Sequence, residues 1–129
     1  MDKLINASAD PMGAAIYDYY KYGKADRLIV RSSMFDDDEI PVKDLFRTFD
    51  QMPELERLAL MQAKGRILEV GAGSGCHSLA LMGMDKETVA IDISPLSVKV
   101  MQERGIDAHD MDFCFGWCIR SECQGYRCH

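Results

Sequence analysis

Apolar residues recur with a helical period through the first half of the chain and gather into short strand-like runs in the second. From Val42 they fall at Val42, Leu45, Phe46 and Phe49, the i, i+3, i+4, i+7 spacing that predicts an amphipathic helix. A second helix is expected from Pro53 through Leu55, Leu58, Ala59 and Gln62, with Gly65 supplying the turn that ends it. Earlier, Asp10-Pro11 offers an N-cap acid and a proline at the first helical position, and Gly23 is a stop, so Met12 to Tyr22 reads as a helix. Its Ile16, Tyr19, Tyr20 and Tyr22 make an aromatic face suited to packing on the main body. Between these helices Arg27-Leu28-Ile29-Val30-Arg31 is short and β-branched, hence extended. The acid run Asp36 to Glu39 precedes Pro41 and a helical pattern, where negative charge favours a helix N-terminus; this reading is preferred to a metal site.

After Gly65 the period changes. Arg66 to Val70 is an apolar run carrying one acid, and it ends in the alternating glycines Gly71, Gly73 and Gly75. A helix from about Gly75 to Met82 follows, then the β-branched run Thr88 to Asp92, then Ser94-Pro95 opening a helix that reaches Arg104 and stops at Gly105. Ala108 to Phe113 reads as a third strand. Strands alternating with helices imply parallel strands joined by right-handed crossovers. The fold class is therefore α/β, a Rossmann-like parallel sheet with an N-terminal helical cap. The cap covers 1–64, the sheet 65–113, and an atypical cysteine-rich tail 114–129.

Charge and cysteine usage narrow the function classes. Twenty-one acids against 15 bases give a formal charge of -6 with no basic stripe, which argues against direct nucleic-acid binding. No apolar run is long enough to span a bilayer and no leader-like pattern opens the chain, so a cytoplasmic protein is expected. Of five cysteines, Cys76 stands in the glycine loop while Cys114, Cys118, Cys123 and Cys128 crowd the tail, a distribution unlike a secreted disulfide scaffold. With His129 those four could form a zinc site, but they lack a paired Cys-x-x-Cys knuckle, and unpaired thiols without a metal are the expectation.

Glycine after a strand permits positive φ and close ligand approach, and the following helix N-terminus adds free amide donors. A dinucleotide fingerprint wants its third glycine where Cys76 stands, and no Gly-Lys-Ser or Gly-Lys-Thr follows for a phosphate loop. Leu68-Glu69-Val70-Gly71-Ala72-Gly73-Ser74-Gly75, with Asp92 ending the next strand, resembles the first two motifs of class I S-adenosylmethionine-dependent methyltransferases. The resemblance runs from about Gly65 to Phe113 and, less diagnostically, into the N-terminal helices.

That resemblance implies S-adenosylmethionine as cofactor and methyl transfer to an unidentified acceptor. Gly71, Gly73 and Gly75 would let the backbone pass close to the methionyl and ribose parts, and Glu69 would orient the methionyl ammonium. Asp92 would accept from both ribose hydroxyls, Ile93 would cover one adenine face, and Asp112 would meet the adenine amino group. Asp110, two residues earlier on the same strand face, is the alternative for that last role. No catalytic residue is assigned: His77 and Cys76 lie close to the loop, but a lone histidine in a first helical turn is more often exposed or locally bonded.

Family members continue through a fourth strand, whereas the pattern here ends near Phe113, so the resemblance implies a truncated or frame-altered end. The strand Ile67 to Val70 is then expected to form an exposed parallel edge that invites self-association. Two alternatives to an active methyltransferase follow: a catalytically inert module that retains cofactor affinity, and, more distantly, a nicotinamide oxidoreductase.

Overall fold

The computed structural model describes residues 9–111. In chain order these form α1 (Pro11–Tyr22), β1 (Leu28–Val30), β2 (Asp38–Ile40), two 3-10 turns (Val42–Phe46 and Phe49–Gln51), α2 (Glu54–Gln62), β3 (Ile67–Val70), α3 (Cys76–Gly83), β4 (Thr88–Asp92), α4 (Pro95–Glu103) and β5 (Ala108–Asp110). The strands β3, β4 and β5 make a parallel sheet in that order, with Val70 opposite Ile91 and Asp92 opposite Asp110. This is the expected α/β architecture, with the third strand ending three residues earlier than its apolar pattern. Asp112, Phe113 and the cysteine-rich tail lie outside the described residues.

The centre of the sheet is where apolar surface leaves water. Val89, Ala90 and Ile91 of β4 are buried, and α4 lays Val98 and Met101 over Ala90 together with Ile106 and Ala108. Ser94 caps α4 through Ser97 N–H at 3.1 Å, as its sequence signature requires. The same hydroxyl donates to Asp10 Oδ2 at 2.5 Å, while Asp10 Oδ1 accepts from Gly13 N–H at 2.9 Å. A buried Asp-Ser pair thus joins the N-termini of α1 and α4. A Cβ on Gly13 would overlap both side chains, which explains a glycine in the first turn of α1. Of the aromatic face expected on α1, Ile16 is buried and Tyr19 stacks on Phe46 at 5.0 Å, whereas Tyr22 is exposed.

Three local expectations are corrected. First, the acid run does not lead into an α-helix: Asp38 and Glu39 belong to β2, which pairs antiparallel with β1, Leu28 opposite Ile40, before the 3-10 turn that begins at Val42. The Arg27 guanidinium grips Glu39 at 2.8 and 3.2 Å, and Leu28 and Ile40 turn toward Ala15 and Val42 beneath α1. Second, the Val42 to Phe49 stripe does not become an α-helix. The carbonyl of Asp44 accepts from Arg47 Nε at 2.7 Å, and the Thr48 N–H, its natural helical partner, donates to Gln51 Oε1 at 3.0 Å. Side chains have taken both ends of the i to i−4 bond, so the segment splits into two 3-10 turns around extended Arg47 and Thr48.

Third, α2 exists as expected but faces the other way. Leu55, Leu58 and Ala59 are exposed, and Glu56, Arg57 and Leu60 turn inward. The helix is anchored by polar contacts: Lys86 donates to the carbonyls of Leu60, Met61 and Ala63 at 2.8, 2.7 and 2.9 Å, closing the α2 C-terminus. Among the described residues β3 pairs only with β4, so its other edge is open.

Candidate cofactor-binding site

The glycine loop begins where β3 leaves the sheet, and several partners hold it. Gly71 and Ala72 donate to the Ile91 carbonyl at 2.9 and 3.2 Å, Ser74 Oγ bonds the Leu45 carbonyl of the cap, and Arg104 Nη1 donates to the Ser74 carbonyl at 2.6 Å. The glycines differ in purpose. Gly71, at φ 67°, has no atom within 4 Å of where a Cβ would project, so its side faces open space. Gly75, at φ 81°, is packed so closely that a Cβ would overlap Ile106 and Met101. The first leaves open space beside the backbone; the second lets α3 seat on the core.

Asp92 lies at the C-terminal end of β4, at the loop. Its Oδ2 accepts from Gly73 N–H and its Oδ1 from Ser94 N–H, both at 2.9 Å. The carboxylate thereby ties the loop to the start of α4, and each oxygen keeps a further lone pair for an incoming hydroxyl. Ile93 is 43% exposed, an apolar side chain displayed beside that carboxylate. Asp110 sits opposite Asp92 in the parallel register, while Asp112 falls outside the described residues.

Glu69, on β3, is met from α3. Ser78 Oγ donates to its Oε2, and His77 Nδ1 lies 3.4 Å from its Oε1. The other imidazole nitrogen approaches Glu56 Oε2 of α2 at 3.2 Å, and Arg47 Nη2 reaches that same oxygen at 2.9 Å. The hydrogen bond to Glu69, with Glu56 adding to it against desolvation, holds the His77 pKa above its ordinary value. Desolvation pushes the Glu56 carboxyl up, but bonds from His77 and Arg47 outweigh it and leave the group below the usual carboxylate range. Burial, followed by the charge of Glu69, pushes the Cys76 thiol up, so the helix N-terminus does not activate it.

His77 is thus locally bonded, and its second carboxylate was invisible in the sequence because Glu56 lies 21 residues away on an element whose inward face was misjudged. Among the described residues no group of three or more His, Cys, Asp or Glu side chains is disposed to hold a metal ion, and no helix is long and apolar enough to cross a membrane.

A strand, a glycine loop, a helix and an acid closing the next strand lie together, on a fold that a solved structure shares. The chain is similar to a SAM-dependent methyltransferase from Bacteroides fragilis, crystallised in complex with S-adenosyl-L-homocysteine: 61% identity, TM-score 0.82, covering 87% of this chain and 47% of that one. The chain belongs to the S-adenosylmethionine-dependent methyltransferase family. It spans about half the length of that solved relative, and its parallel β3-β4-β5 sheet corresponds to part of the methyltransferase fold. No family model and no curated protein matches it.

Proposed function

We propose that the chain binds S-adenosylmethionine at the glycine loop and is the cofactor-binding portion of a methyltransferase acting on an unidentified acceptor. The observation that carries this reading is the Asp92 carboxylate, fixed by Gly73 and Ser94 N–H groups at the end of β4 with lone pairs to spare. Open space beside Gly71, the exposed apolar Ile93 and the amide end of α3 fit the remaining parts of such a ligand. A bound cofactor supplies an electrophilic sulfonium methyl, and its neutral thioether is a good leaving group.

The chain's own contribution is to position. Asp92 would receive the ribose hydroxyls, Glu69 the methionyl ammonium, Ile93 one adenine face, and Asp112 or Asp110 the adenine amino group. Fixing the methyl donor in this way lowers the entropic part of a direct displacement and needs no base from the protein. The buried free thiol of Cys76 accords with a reducing compartment, the cytoplasm. Self-association through the open edge of β3 belongs to the same reading.

Calorimetric titration with S-adenosylmethionine, S-adenosylhomocysteine and NAD tests it. Both sulfur ligands are expected to bind. Asp92→Ala should weaken them by about 10- to 100-fold, the value of hydrogen bonds to a charged acceptor. Thermal melting recorded alongside separates a lost contact from a lost fold. NAD binding without a response to either sulfur ligand would sink the proposal. Sulfur-ligand binding without methyl transfer to a broad acceptor panel would favour an inert binding module.

A further inference from the structure

The helix α3 packs on the core, with the partly buried Leu79 against the cluster of Ala72, Ala90, Val98 and Met101, and it also faces a cavity. Ser78 and Leu81 are buried toward the core. Cys76, Leu79, Ala80 and Gly83, spaced i, i+3, i+4, i+7, also line a cavity of about 410 Å³ that Phe46 and Phe49 close from the cap. That volume lies in the range of small-molecule sites, which are largely apolar with a few fixed polar groups. None of Glu69, Gly71, Gly73 and Asp92 lines it, so it is separate from the site proposed for S-adenosylmethionine.

Two arginines line this cavity, and they differ in charge balance. Arg47 is neutralised by Glu56 at 2.9 Å and spends its Nε on the Asp44 carbonyl. Arg104 is half-buried, lies over the Phe46 ring at 5.0 Å and gives Nη1 to the Ser74 carbonyl, yet among the described residues no carboxylate pairs with it. Burial lowers its pKa, the mark of a cation deprived of water without a counter-charge. A guanidinium has five donors in a planar fork, and among the described residues only one of these is used, so one planar anion can be held.

We propose that this cavity binds a small amphipathic monocarboxylate, its carboxylate on Arg104 and its apolar body against Phe46, Phe49, Leu79 and Met84. A single unbalanced cation selects a monoanion, and the apolar walls reject a fully hydrated one such as acetate. This site stands whether or not the glycine loop binds S-adenosylmethionine.

Octanoate is the probe, titrated calorimetrically into the whole chain beside 1-octanol and acetate. Saturable octanoate binding at least tenfold tighter than that of 1-octanol is expected, with no heat from acetate. Arg104→Met, which keeps the stem and removes the charge, should erase that preference over octanol. Because Arg104 also braces the loop, Gly83→Leu provides a second arm: no atom lies within 4 Å of its Cβ position, so the leucine fits at the cavity wall and should weaken octanoate at least tenfold without lowering the melting temperature. Absence of saturable octanoate binding at millimolar concentration, equal affinity for octanol, or indifference to Gly83→Leu overturns the proposal.

Discussion

The strands β3 and β4 are neighbours built from the same branched apolar residue types, yet they meet different surroundings. Every residue from Thr88 to Ile91 is buried, whereas none of Ile67 to Val70 is, and Val70 is 48% exposed. The helices repeat the contrast, since α4 buries Val98, Val100 and Met101 while α2 buries nothing and leaves Leu55 81% exposed. Composition does not separate the two flanks; the number of covering partners does. β4 has a strand on each side and α4 across it, while among the described residues β3 has a strand on one side only. Stability therefore concentrates in β4, α4 and β5, behind the glycine loop, and the β3–α2 flank contributes surface.

The sharpest way to break this contrast is a pair of truncations. Ile91→Ala removes a fully buried side chain and should cost about 2–5 kcal/mol, whereas Leu55→Ala should change stability by no more than about 0.5 kcal/mol. Urea denaturation of the two variants against the parent measures both. Comparable losses would show that α2 packs more tightly than its exposure indicates.

A smaller effect separates the glycines by what surrounds them. Gly65 (φ 73°) and Gly75 (φ 81°) are both left-handed, so alanine at either position carries a strain of roughly 1–2 kcal/mol. At Gly65 nothing lies within 4 Å, while at Gly75 the new methyl meets Ile106 and Met101. Gly75→Ala should therefore be worse than Gly65→Ala by the cost of overpacking, about 1–3 kcal/mol. Equal melting temperatures for the two would mean that α3 shifts freely on the core.

The same division between core and flank governs what the sequence disclosed. The parallel sheet, the glycine loop, the Ser94-Pro95 start of α4 and the Asp10-Pro11 start of α1 were legible because each rests on local chemistry: β-branched runs, positive-φ glycines, and caps with proline at the first turn. β2 was not, since its strand character comes from Arg27, Leu28 and the underside of α1, all distant from the acid run. The inward face of α2 was misassigned because apolar periodicity assumes apolar docking, and this helix docks through Glu56 and through Lys86 on its last carbonyls. In the candidate site, Glu69 and Asp92 were singled out by resemblance to the methyltransferase motifs, but the partners they meet in the fold were not legible, because Ser78 and His77 on α3 meet Glu69 only once the loop has folded.

His77 gives the finest test, because it is the polar counterpart of the apolar packing on the other flank. The charged groups facing it are Glu69 from β3, Glu56 from α2 and, through Glu56, Arg47 from between the 3-10 turns. Its folded pKa is raised above the unfolded value of about 6.5, so the stability it contributes is fully present below that value and is lost as pH rises through the folded pKa. Glu56 has a lowered pKa, and its contribution is lost only as pH falls through the folded carboxylate pKa, well outside that window. With side-chain exposures of 35%, 31% and 15% for His77, Glu56 and Glu69, solvent screens part of the attraction, and the His77 contribution should stay below about 1 kcal/mol. Urea midpoints measured from pH 6 to pH 8 should fall more steeply with pH in the parent than in His77→Gln, which retains a hydrogen-bonding group but cannot be protonated. Parallel pH profiles would mean that the β3–α2 flank is held by Arg47 and Lys86 alone, and that His77 only bridges two carboxylates already fixed by other partners.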